Sequence, residues 1–557
     1  MSRSRITALA VVSFTLGVFV YGLLQRPDRT SKATADASSA ELLPGLGTYH
    51  MDAGIGDADA RRWFDQGLVL AYGFNHDAAG RAFLKGAELD PDCGMCWWGA
   101  AMVLGPHLNA GMAAENAPRA WMRLQQAQLL APRMRTRERA FINALAARYA
   151  EPAPMDRGLL DEAYARAMRE LVARYPGDAD ARTLLAEALM DLHPWDLYDR
   201  SGEPRPWTGE IVSLLEQVLR EKPDHPGANH FYIHAIEASR APGRGLDAAR
   251  RLQNLAPGAG HLVHMSSHIY MRTGHYHEAT EANLRAIEAD TRYLDLCRAA
   301  SGTYPQGYVP HNHHFLYASS MMEGSSARAI AAADEVARTM DLERSRQPGY
   351  VALQHYWVTR YLARVRFGHW TELLAEPPPP ADLPYPTAVW HYAHGMALLR
   401  GGRIAEAQRS FEGLATIAAH PDLEQQSVWG INSFATLLGV AERQFAGEIA
   451  LARGNHDAAI AALQTAVERE DALSYDEPSA WYMPVRQALG AALLEAGHAE
   501  QAQAVFEEDL RRNEENGWSL FGLVSALEVQ RRPSEEARAR LQAAWKHADV
   551  KLTAARF

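Results

Sequence analysis

From Asp57 onward, apolar residues recur at intervals of three and four, alanine and leucine dominate, and long alternating β-branched runs are missing. That period predicts helix nearly throughout. Prolines fall mainly between the helical segments, as in the run Glu376-Pro377-Pro378-Pro379-Pro380, where they break and connect helices. A second, longer period lies over the first. A small residue is followed by alanine 12 positions later and by a bulky residue 16 positions later: Gly67, Ala79, Phe83; Gly395, Ala407, Phe411; Gly447, Ala459, Leu463; Gly490, Ala502, Phe506. Ser267 and Ala279 keep the spacing with Asn283 in the bulky slot, a degenerate copy. Turn signals fall at matching places, among them Gly73-Phe74-Asn75, Arg453-Gly454-Asn455 and Glu495-Ala496-Gly497. The expectation is an all-α chain of antiparallel helix pairs.

These offsets resemble the tetratricopeptide repeat (TPR) family, whose unit is a helix pair of about 34 residues. The resemblance implies a right-handed, TPR-like superhelical solenoid whose first helices line a concave groove. It implies no chemistry, since most such proteins bind peptides or other proteins. The clear copies cover the beginning, the middle and the last third, while 113–225 and 325–385 match poorly. The expected blocks are an N-terminal segment at 1–24, a flexible linker at 25–56, N-terminal repeats at 57–225, a His-rich central block at 226–325 and C-terminal repeats at 326–557.

Composition changes this picture little. With 557 residues, 47% of them hydrophobic, the chain can bury a large core. A net charge of −11 with no long Lys/Arg run argues against a nucleic-acid surface. The N-terminus changes more. Arg3 and Arg5 precede an uncharged, mostly apolar run from Ile6 to Leu24, just long enough for a bilayer core. No small-residue cleavage site follows it closely, so an uncleaved membrane anchor is expected ahead of a cleaved signal. The bulk of the chain would then be exported, periplasmic or otherwise extracytoplasmic, as in an exported bacterial-type TPR protein. There Cys93 and Cys96 could pair, although simple packing of the two thiols is the plainer expectation.

The histidines change it most. Eleven of 23 lie between His225 and His314, where an even spread would place about four. Two phrases repeat: Pro226-Gly227-Ala228-Asn229-His230 leading to His234, and Pro257-Gly258-Ala259-Gly260-His261 leading to His264 and His268. Pro310-His311 leading to His314 is a third relative. His230/His234 and His264/His268 are i,i+4 pairs, and His261 extends the second stripe, so each helix presents imidazoles on one face. Set against the repeat, the offsets match across three successive first helices, which the family resemblance turns toward one concave surface. His230, His261 and His311 also sit near helix starts, where the dipole disfavours imidazolium. Neutral imidazole is the metal-binding form.

So many imidazoles on adjacent faces would be costly to bury without partners. The candidate metal ligands are therefore His230, His234, His261, His264, His268, His311 and His314, with Glu237 as a carboxylate ligand or catalytic base. An imidazole-rich set suits copper, zinc or iron and is unlike a calcium or magnesium site. Six to seven histidines exceed one tetrahedral zinc, so two ions fit. The ligand arrangement, though not the fold, is similar to type-3 dicopper proteins, which hold each copper with three imidazoles. HExxH, GxxxxGK[ST], the Rossmann glycines and GxSxG do not occur. Two functions follow: a metal-dependent oxidoreductase or hydrolase, or a non-catalytic scaffold binding peptide or protein partners.

Overall fold

The computed structural model describes residues 40–297 and 304–557. The apolar run at 6–24 lies outside them. Among the described residues no helix is long and apolar enough to cross a membrane. The chain is helical almost throughout, and the sheet among the described residues is one antiparallel pair, Ser427–Val428 with Asn432–Ser433.

The long repeat is a packing code. Consecutive helices form antiparallel pairs such as Ala58–Tyr72 with His76–Leu89 and Phe434–Ala452 with His456–Asp471. Their close approach needs the small residue: a Cβ on Gly67 would lie 2.8 Å from the Phe83 ring, and one on Gly447 would lie 2.6 Å from Leu463. The bulky residue also faces the next unit. Phe83 fills the space over both Gly67 and Gly99, and Phe506 the space over both Gly490 and Gly522. The alanines at the 12-residue offset, Ala79, Ala279, Ala407, Ala459 and Ala502, are all fully buried. One assignment shifts: Gly395 is met by Phe445 at 2.3 Å, while Phe411 packs half-buried beside that ring. The result is an all-α solenoid of TPR-like helix pairs.

The apolar core falls into two clusters, Leu46 to Tyr308 and Leu316 to Ala555, which meet within the helix Val309–Glu323. The seam thus runs through the His-rich block. The C-terminal half returns against the centre: Trp518 Nε1 donates to Met321 O at 3.1 Å, and Tyr276 Oη to Glu514 O at 2.9 Å.

Residues 40–56, expected to be flexible linker, are instead packed. Tyr49 Oη donates to Asp180 at 2.7 Å, Met51 is buried, and Gly258 N donates to Gly45 O at 2.8 Å. Alanine- and serine-rich sequence up to Ala40 gives way to Leu43, Leu46 and Met51, enough buried apolar surface to hold a strap. That strap steadies the second Pro-Gly-Ala phrase just before His261.

Candidate metal centre

Three helical stretches carry the cluster: Pro226–Ile236, the consecutive pair Gly260–His264 and Ser266–Arg272, and Val309–Glu323. Proline at the first helical turn begins the first of these at no hydrogen-bonding cost. The ring of His225 caps it, Nδ1 accepting from Ala228 N at 3.1 Å, so this histidine is a structural cap. A Cβ at Gly260 would fall 2.1 Å from the Asp290 carboxylate. Only glycine lets the second phrase approach that buried acid. Tyr304 Oη then accepts from His261 N at 3.0 Å and donates to Asp290 at 2.8 Å, fixing the start of the helix.

The structure brings six of the seven predicted ligands into two adjacent triads. His230, His234 and His261 offer nitrogens all within 4.8 Å of one another, and so do His264, His268 and His311. The triads touch, with ring centroids 5.7 Å apart for His261 and His264 and 5.5 Å for His234 and His268. All but the partly exposed His311 are buried.

Four of these rings are oriented through Nδ1. His230 Nδ1 donates to Tyr72 O at 2.5 Å, and His264 Nδ1 to Asn283 Oδ1 at 2.7 Å. The Asn283 amide nitrogen donates to Ala279 O at 2.8 Å, which fixes its oxygen toward the histidine. His234 and His268 donate to the two oxygens of one carboxylate, Glu237, at 2.8 and 2.5 Å. A ring that spends its proton on Nδ1 carries a bare lone pair on Nε2. The Nε2 atoms of His230 and His234 are buried without partners, as are both ring nitrogens of His261. His264 and His268 aim two such Nε2 atoms at each other across 3.0 Å. Two lone pairs at that distance call for a cation between or beside them. Two imidazoles on one tetrahedral ion at about 2.05 Å would stand about 3.3 Å apart.

Protons are poor candidates for that cation. Burial, followed by repulsion from neighbouring imidazoles, pushes His230, His261 and His264 well below the usual histidine range. Burial likewise takes His311 down to about 3. His268 is also lowered by burial, in part offset by Glu237.

Glu237 lies between the two triads. With its oxygens engaged by two rings, it bridges the triads and orients one ligand in each. Against its burial, the contacts with the two rings hold it below the usual carboxylate range. The same carboxylate with the Nδ1 atoms of His234 and His268 forms a third possible donor set, which uses up the contacts that orient those rings.

His314 joins neither triad. Its Nε2 lies 2.7 Å from Tyr482 Oη, whose other neighbour is His355 Nε2 at 3.0 Å, and His355 Nδ1 in turn meets Tyr385 Oη at 2.7 Å. His193 stacks on Trp207 at 3.8 Å, and His107 stacks on Phe74 at 4.6 Å, outside both triads. The pair Cys93 and Cys96 is joined as a buried disulfide at the start of the helix Gly94–Met102 rather than packed as two thiols.

Other contributors escaped sequence reasoning. Phe74, at φ +56°, packs its ring 4.6 Å from His230 and 5.6 Å from His261. Exposed Trp195, at φ +59°, sets its edge against His234 at 5.6 Å. Two bulky side chains in the left-handed region beside one cluster mark backbone held against its preference. Phe315 lies against all three rings of the second triad, at 4.4 to 4.9 Å. From the C-terminal half, the buried carboxyl of Glu477 comes within 4.0 Å of His268 Nδ1. Burial and the charge of Glu237 raise it well above the usual carboxylate range. The aromatic turn signal Gly73-Phe74-Asn75 could have drawn attention to Phe74, and the acidic, aromatic phrase Tyr475-Asp476-Glu477 to Glu477.

No protein-family model and no curated protein matches the chain. Solved structures that resemble it include human IFIT1 dimer with m7Gppp-AAAA, at 12% identity over 91% of this chain and 92% of that one, with a TM-score of 0.31. Yeast Tom70 follows at 11% identity, covering 87% and 92%, with a TM-score of 0.24. The P58(IPK) TPR domain has 11% identity, covers 85% and 99%, and gives a TM-score of 0.21. Scores this low carry no argument about the site, and the helix-pair architecture rests on the packing described above.

Proposed function

We propose that this solenoid is a scaffold for a dinuclear transition-metal centre, one ion on His230, His234 and His261 and the other on His264, His268 and His311. The observation that carries it is the set of imidazoles anchored through Nδ1 with bare, converging Nε2 atoms, above all the His264–His268 contact at 3.0 Å. Oriented ligands with their other nitrogen hydrogen-bonded are the usual second shell of a metal site.

Among copper, zinc and iron, an all-imidazole three-plus-three set fits copper best; carboxylate-bridged di-iron sites place glutamates on the metal, and Glu237 is engaged behind the ligands. A redox pair of coppers would make the protein an oxidoreductase, and two zincs would favour hydrolysis. The Cys93–Cys96 disulfide supports an oxidising, extracytoplasmic setting, and the run at 6–24 would supply the membrane attachment.

Elemental analysis of the full chain after metal loading tests this reading. Two ions per chain are expected at the triads, with the total falling by one in His264→Ala and by one in His230→Ala. A parent protein that retains no transition metal would end it. Absorption and paramagnetic resonance of the loaded protein then separate copper from zinc.

A second reading, a scaffold that binds peptide or protein partners along its helices, is favoured by the regular repeats at 384–529, which carry no comparable imidazole cluster among the described residues. Partner binding that survives His264→Ala together with His230→Ala would separate it from the metal centre.

A further inference from the structure

A separate group of donors lies where the C-terminal segment meets the central repeats. His277 stands in the first turn of the helix Tyr276–Leu296, Glu323 ends the helix Val309–Glu323, and His547 follows the helix Glu535–Ala544. One donor atom from each lies within 4.8 Å of the other two. His277 Nδ1 is 2.7 Å from Glu323 Oε1, and the rings of His277 and His547 lie parallel with centroids 3.5 Å apart.

The carboxylate is the telling member. It is 2% exposed, and its second oxygen makes no hydrogen bond, with Arg328 Nη1 3.5 Å away. That arginine is part-exposed and pairs with the oxygen without a hydrogen bond, so the buried carboxylate keeps part of a desolvation cost that a closer cation would lower.

The segment carrying His547 is fastened to the same place by other means. Asp549 accepts from Ser326 N at 2.6 Å and Ala327 N at 3.0 Å, and its own N donates to Gly324 O at 3.1 Å. Trp545 closes over Gly324, where a Cβ would fall 2.5 Å from the ring. These contacts fix the backbone that holds the exposed His547 ring against His277.

We propose that His277, Glu323 and His547 form a divalent-metal clip, of the zinc class, that locks the C-terminal segment onto the central repeats. Two imidazoles and a carboxylate with an open side for water are a donor set that zinc accepts. The clip shares no residue with the two triads.

Calorimetric titration of metal-free full-length protein with zinc, together with hydrogen exchange of residues 545–549, tests it. The parent should bind one more zinc than His547→Ala, and zinc should slow exchange in that segment in the parent alone. Glu323→Gln, which keeps both imidazoles, should weaken that one step by about tenfold or more. Equal zinc stoichiometry in the parent and His547→Ala, or zinc that leaves the exchange of 545–549 unchanged in the parent, would overturn the proposal.

Discussion

The repeat units at 267–283 and 490–506 share one spacing and differ in what fills it. In the C-terminal unit, Gly490 makes room and Phe506 occupies it, so the joint is all apolar. In the central unit, Ser267 stands at the small position, donating to His264 O at 2.7 Å, and Asn283 replaces the bulky residue. The asparagine orients His264 through Nδ1. What reads in sequence as a decayed copy is a joint in which packing volume has been exchanged for a hydrogen bond to an imidazole of the cluster. The repeat supplies position; the departures from it supply chemistry.

Four substitutions or conditions would break or sharpen that contrast. The largest effect belongs to the apolar joint: Gly490→Leu forces a side chain against Phe506, whose ring is 2.4 Å from the added Cβ. A loss of about 3 kcal/mol in urea unfolding is expected, with metal content unchanged. Next, Glu237→Gln in the polar joint can no longer accept from both His234 and His268 as an anion. Metal affinity should fall by about 10- to 100-fold at both triads by competition with a chelator, with little change in helix content.

The third concerns protons. Burial holds His355 neutral in the folded chain down to about 3, against an ordinary value of 6.5. The unfolded chain therefore binds the extra proton between those values, so stability present above 6.5 is lost as pH falls. Between pH 7 and pH 5 the metal-free parent should lose about 2 kcal/mol more than His355→Gln, as read from urea midpoints. The smallest effect is Asn283→Leu, which returns an apolar residue to the bulky slot. It should lower affinity at the second triad alone, by about tenfold, and leave the first triad as it was.

Much of this was legible in the chain because it is local. Helical period, turn glycines and the 12- and 16-residue offsets are near-neighbour patterns, and they located both the helix pairs and the gathered histidines. His314 shows where local pattern ends. It shares its offset with His264, yet its ring hydrogen-bonds Tyr482, 168 residues away in sequence. Likewise His311 shares its offset with His230 and His261 but joins the other triad. Glu237 was visible as a neighbour on the stripe of His234, while its bond to His268 crosses between helices. His277 meets a second imidazole, His547, only because the C-terminal segment returns against its helix.

The sequence by itself determined the helical repeat, the close-packing small residues and which helices carry imidazoles, because each depends on side chains a few positions apart on one helix. Only the tertiary structure decided that six histidines divide three and three, that Glu237 spans both sets, and that Phe74 and Glu477 press on them from remote segments. Those outcomes depend on how successive helices stack and how the second half returns onto the first. Burial then removes water from the polar groups, leaving their mutual geometry to determine which nitrogens are satisfied and which stand ready for an ion.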